Sequence, residues 1–276
     1  MKTNIYLTAF YGAICLSIIH LILSAITAHV PDFNTITWGL FANYLVALLL
    51  GFYIINSNQN TLKTGISVFL IYFLIGHFNI LVEAYIFNVS TRYETGREIW
   101  LGLITAIVFS PLYVNFFSSK KKPLVLGLEK RSPLKWLGRI VAGDFIYLFL
   151  YILAGFTLTI IYPKLLEFYE GKLPSITLLL QTQLFLRGFI FMGVAFLIIQ
   201  TMNVSTFNRA VFIGLVFAIL GGIAPLIPPN DLMPAYVRLG HAFEVGISNS
   251  AYGLILGYLL KSKMIAQPGR FVNEMS

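Results

Sequence analysis

Charge is what this chain has least of. Only 11% of its 276 residues are Asp, Glu, Lys or Arg, against about a quarter in an ordinary soluble domain. Cysteine is nearly absent too. Cys15 stands alone, which excludes an intrachain disulfide and leaves the redox compartment open. The short alternating segments of a transmembrane β-barrel are missing. HExxH, GxSxG and a glycine-rich phosphate loop do not occur either, so the common zinc-protease, serine-hydrolase and P-loop signatures are excluded.

Apolar length is what the chain has in quantity. Its hydrophobic fraction is 58% and its mean hydropathy +0.81, arranged in repeated runs of roughly 20 residues, the length that crosses a bilayer core. This predicts an all-α, polytopic transmembrane bundle forming a single integral membrane domain over 1–276. Eight spans are expected, at about 5–28, 37–57, 65–87, 97–117, 139–162, 175–200, 208–228 and 237–260. The segments between them, such as HVPDFNT, NSNQNTLKTG, PKLLEFYEGKLP and IPPNDLMP, hold the Pro, Gly, Asn and charge that lipid rejects. The first run is long, contains His20 and lacks a small-x-small cleavage site; it reads as a retained span rather than a signal peptide.

Orientation follows from the basic residues. With eight spans both termini share a side. That side carries Lys2, Lys63, Arg209, Lys261, Lys263 and Arg270, with Lys120, Lys121, Lys122, Lys130, Arg131 and Lys135 of a basic loop at 118–138 and Arg139 at its edge. The other side carries Arg92, Arg97, Lys164, Lys172 and Arg238. The bias places both termini, including the tail at 261–276, in the cytoplasm of a plasma or bacterial inner membrane. The net charge of +8 is accounted for by this asymmetry and by anionic lipid headgroups as partners of the loop, with no call for nucleic acid. The likeness of LIGHFNILVEAY to RLGHAFEVGISN falls in non-corresponding spans and reads as chance.

Ionisable groups inside spans cost on the order of 2.5–3.5 kcal/mol each and so face protein or water rather than lipid. At 1.5 Å per residue, Glu83 falls about 10 Å outside the midplane, and His241 and Glu244 about 8–12 Å outside it. Gln183 falls about 6 Å outside and Arg187 close to the middle. Arg238, His241, Glu244, Ser248 and Tyr252 share one helix face with Asn249 at its margin, while Asn79–Glu83 and Gln183–Arg187 are i, i+4 neighbours. Three helices distant in sequence are therefore expected to bring Asn79, Glu83, Gln183, Arg187, His241, Glu244 and Asn249 to one polar layer beneath the outer leaflet. Gly253 and Gly257 continue the last helix as a small-residue packing surface. His77 lies 240° around from Glu83 and reads as a satisfied packing histidine, as does His20. Arg238 reads as a headgroup anchor, Asp144 with Arg139 as an interfacial ion pair, and Pro111 as a kink.

Such groups support three kinds of function. Glutamates, a histidine and an arginine in a wet cavity can bind or transport a small polar or anionic solute, or protons; this is the leading expectation. Glu244 with His241 could instead serve an intramembrane hydrolase acting on a lipid-linked or peptide substrate, as an acid–base pair or metal ligands. A structural or partner subunit, its polar cluster only locking helices, is the third. The sequence identifies no cofactor and no established metal set.

The segment TQLFLRGFIF, Thr182–Phe191, resembles the EExxxRG motif of the intramembrane CAAX-type proteases over about ten residues. That family has two glutamates where Thr182 and Gln183 stand. Its FxxxH motif would fall on FAILG, with Gly221 in place of the histidine. These departures count against the protease chemistry.

Overall fold

A computed structural model describes residues 4–28, 30–117, 126–127, 132–230, 233–261 and 265–266. Among them are eight long helices: α1 (Ile5–Ile26), α2 (Phe33–Asn56), α3 (Thr61–Ile86), α4 (Arg92–Phe116), α5 (Pro133–Ile161), α7 (Ile176–Thr201), α8 (Thr206–Leu226) and α9 (Ala235–Leu259). A short helix α6 (Lys164–Tyr169) lies between α5 and α7. The described residues form helices and turns, apart from a two-residue antiparallel pairing of Leu126–Gly127 with Ile265–Ala266 and one isolated bridge. Helices α1–α5, α7 and α8 are long and apolar enough to cross a membrane. Helix α9 has 25 residues, which at about 1.5 Å each is also long enough, but polar residues fill its first half. Most of the basic loop lies outside the described residues.

Six helices begin two to six residues earlier than hydropathy suggests, and capping is one reason. Asp32 accepts from the Thr35 amide, Asn60 from Lys63 and Ser205 from Asn208. These polar residues satisfy amides that a helix start leaves open, so the helix is nucleated in the polar segment before the apolar run. The Thr35 amide, 2.7 Å from Asp32 Oδ1, also holds the Asp32 carboxyl below its usual range. At α4, Thr91 and Glu94 form a reciprocal capping box, with Glu94 N donating to Thr91 Oγ1 at 3.2 Å and Thr91 N to Glu94 Oε2 at 2.8 Å. Thr91→Ala is expected to lower stability by about 1 kcal/mol, read as a fall in the thermal unfolding midpoint of the purified protein. Helix α5 starts at Pro133, so Lys135 and Arg139 belong to a helix rather than to a loop or its edge.

Outward faces carry exposed Phe, Ile, Leu and Trp, such as Phe145, Phe149 and Phe156 on α5, as a lipid-contacting surface requires. The interior is aromatic. Phe109 stacks on Tyr113 with centroids 5.0 Å apart, and Tyr147, Phe191, Phe217 and Tyr252 pack in a second cluster. Helices α8 and α9 approach backbone to backbone. A Cβ at Gly253 would lie 2.6 Å from the Gly214 Cα, and one at Gly257 would lie 2.5 Å from the Ala210 Cα.

The turn between α2 and α3 is joined to the turn between α7 and α8. Ser57 and Met202 form an antiparallel bridge, with Asn58 N donating to Thr201 O and Asn203 N to Asn56 O, both at 2.9 Å. Tyr53 and Thr201 share a hydroxyl hydrogen bond of 2.6 Å. Arg209, expected in a solvated cytoplasmic position, is instead buried, donating to the Met202 and Val204 carbonyls. The turn carbonyls left open at the end of α7 give the buried guanidinium two acceptors.

Candidate functional site

Three helices contain one wide π turn each: Leu74–Phe78 in α3, Gln183–Arg187 in α7 and Ile219–Ile223 in α8. Such turns add a residue to the helix and recur at functional sites. The first and third pack on each other, and the third also meets α9.

Arg187 ends the α7 π turn and is buried. Its Nη1 lies 2.7 Å from Glu83 Oε1 of α3, with the carboxylate side chain 28% exposed against 4% for the arginine. Its Nε donates to Asn79 Oδ1 at 3.2 Å, and Nη1 also donates to Gln183 Oε1 at 3.1 Å. Tyr147 of α5 donates to the same Gln183 oxygen at 2.8 Å, and the guanidinium lies 5.8 Å from the Tyr151 ring centre. Asn79, Glu83, Gln183 and Arg187 therefore come together as their spacing predicts.

The two amides here have a fixed sense. A guanidinium only donates, so the Asn79 and Gln183 oxygens must face Arg187 and their NH2 groups must face away from it. Both nitrogens, Asn79 Nδ2 and Gln183 Nε2, are buried without a hydrogen-bond partner. Buried orphan donors are uncommon in folded proteins and mark a place where an acceptor belongs.

On α9, His241 Nδ1 meets Glu244 Oε2 at 2.9 Å, and Ser248 donates back to the Glu244 carbonyl at 2.8 Å. His241 Nε2 is hydrogen-bonded to the Tyr169 hydroxyl of α6. Tyr169 also packs edge-on against Phe87 at the C-terminal cap of α3, one turn beyond Glu83, with ring centres 5.7 Å apart. The Arg187 pair and the Tyr169–His241–Glu244 chain are thus neighbouring groups, but Glu244 is paired with His241 and not with Arg187. No group of three His, Cys, Asp or Glu close enough to hold a metal exists among the described residues, because Glu83 is engaged by Arg187 instead of joining the α9 pair.

Several expectations need correction. Asn249 Nδ2 donates to the Phe217 carbonyl of α8 at 3.0 Å, so it ties α9 to α8 rather than serving the Arg187 cluster. A Cβ at Gly221 would lie 3.3 Å from Asn249 Nδ2; the glycine at the position of the resembled histidine leaves room for that amide. Asp144 makes no ion pair with Arg139. Its carboxylate lies against the backbone of Gly188, with Oδ1 unpartnered, and Arg139 donates to the Leu259 carbonyl. His77 packs edge-on against Tyr72 at 4.9 Å, yet its Nε2 is buried without a partner, so it is packed and not satisfied.

Tyr169 is the functional candidate that sequence reading missed, because PKLLEFYEGKLP reads as a break between spans. Its signal is the apolar LLEFY between Pro163 and Gly171, enough for one helical turn and a half. Comparison with protein-family models, with curated proteins and with solved structures returns no significant match.

Proposed function

We propose that the chain is an eight-span membrane protein of the plasma or bacterial inner membrane, termini cytoplasmic, that binds or transports a small anionic solute, with protons as companion, at Arg187. The observation that carries this is the pair of orphan amide donors beside a buried guanidinium. Arg187 supplies charge, while Asn79 Nδ2 and Gln183 Nε2 supply donors that only an acceptor-bearing partner can satisfy. A carboxylate or phosphate matches that set. Glu83 is the resident counterion, and its partial exposure lets it leave. Once protonated it no longer neutralises Arg187, and an incoming anion takes its place. The Tyr169–His241–Glu244 chain lies beside it as a path for the proton, since histidine changes charge near neutral pH. The basic loop at 118–138 would rest on anionic headgroups.

A proteoliposome assay tests this, with an internal pH dye reporting proton entry driven by acetate, lactate or inorganic phosphate. Glu83→Gln together with Glu244→Gln is expected to reduce solute-driven proton entry by about tenfold or more, the loss of roughly 1.4 kcal/mol. Entry at the wild-type rate in the double variant overturns the proposal.

A second reading is favoured by one observation. In the Tyr169–His241–Glu244 chain a hydroxyl meets an imidazole that a carboxylate orients, the arrangement of an acid–base relay in an enzyme. In an intramembrane hydrolase of a lipid-linked or peptide substrate, Tyr169→Phe would abolish turnover. In the solute reading it slows proton delivery and leaves anion binding intact.

A further inference from the structure

A cavity of about 240 Å³ lies apart from Arg187, between α1, α2, α3, α4 and α8, and is lined by His20, Asn43, Tyr72, His77, Glu98 and apolar side chains. At about 30 Å³ per water it has room for about eight waters. The π turn of α3 separates the two places. Asn79 reaches Arg187, while His77, two residues earlier, borders the cavity. The π turn of α8 supplies Leu220 to the same cavity.

The polar groups of this cavity differ in kind from those at Arg187. No lysine or arginine lines it, and Glu98 is its one carboxylate. Glu98 Oε1 takes both hydrogen bonds from Arg97, which leaves Oε2 available. Asn43 donates to Ser17 at 2.9 Å and reaches His20 Nδ1 at 3.5 Å, so two polar side chains are held in place on one side. His77 is fixed by shape. A Cβ at Gly102 would lie 2.6 Å from the imidazole Cγ, so only glycine there admits the ring.

We propose that this cavity binds a small organic cation, a primary ammonium on a compact apolar body. Glu98 would take the ammonium, and Val46, Ile80 and Leu220 would enclose the hydrocarbon. An anion would meet Glu98 Oε2, because Arg97, which holds Oε1, does not line the cavity. A metal ion would find no set of three ligands among the described residues. A purely apolar guest would leave the buried His77 Nε2 without a partner, a costly arrangement. The site is independent of Arg187, so it stands or falls separately from the anion reading.

The test uses the full chain in lipid nanodiscs and titrates phenethylammonium, with 2-phenylethanol and 3-phenylpropionate as neutral and anionic counterparts. Calorimetry is expected to show saturable binding for the ammonium alone. Glu98→Gln should weaken it about tenfold, the loss of one charge-assisted hydrogen bond. Glu94→Gln, which removes a like charge from the same helix but keeps a capping-box side chain, should bind as wild type. The proposal is overturned if the alcohol binds as well as the ammonium, if Glu98→Gln keeps wild-type affinity, or if no saturable binding occurs.

Discussion

Glu83→Ala is expected to destabilise the protein by about 3 kcal/mol, the lower end of the range for removing one partner of a buried ion pair. The lower end applies because Glu83 is 28% exposed, so water reaches the carboxylate side of the pair. The cost comes from what remains. Arg187 would keep its charge in the bundle interior with only Asn79 and Gln183 as direct neutral acceptors. Glu83→Gln should cost less, because its amide oxygen still accepts from the guanidinium. Glu83→Leu with Arg187→Met removes both charges and should recover most of the stability. Thermal unfolding of wild type, Glu83→Leu, Arg187→Met and the double variant checks this as a double-mutant cycle, with Glu83→Ala and Glu83→Gln measured beside it. The same set separates a structural pair from a working one. If the cluster only locks helices, the double variant is folded and nothing is lost. If Arg187 holds an anion, the double variant is folded and inactive.

Gly253→Val should have an effect of similar size by a different route. The new Cβ would lie 2.6 Å from backbone atoms of Gly214, and backbone cannot rotate away as a side chain can. Helices α8 and α9 would have to separate, costing about 3 kcal/mol or more, at or above the upper end of ordinary overpacking. Gly65 in α3 is the control, since a Cβ there meets nothing within 4 Å. Gly65→Ala should leave stability unchanged or raise it by up to about 1 kcal/mol through helix propensity. Unfolding midpoints of the two variants, measured side by side, give the comparison.

These positions also show what the sequence can disclose. Gly253 and Gly257 were legible as a packing surface because small residues four apart in a membrane helix have few other uses. Glu83 and Arg187 were legible because a charge in an apolar run must find a partner, and depth arithmetic narrowed the choice. Partner choice within the layer was less legible. Glu244 bonds its own neighbour His241, whose other ring nitrogen meets Tyr169 on a short helix that hydropathy treats as a break. Each π turn inserts a residue, so faces computed at a uniform 100° drift beyond Leu74–Phe78, Gln183–Arg187 and Ile219–Ile223. Helical angles placed His77 away from Glu83, but they could not tell that a cavity lies where it points.

The seam between the two turns has a counterpart at the far end of α3. Ser57, Asn58, Met202 and Asn203 rivet the first four helices to the last four by backbone at one extremity of α3, while near the other Glu83 and Asn79 hold Arg187 by side chain alone. One end of the junction is therefore indifferent to protonation and substitution of side chains, and the other depends on them entirely.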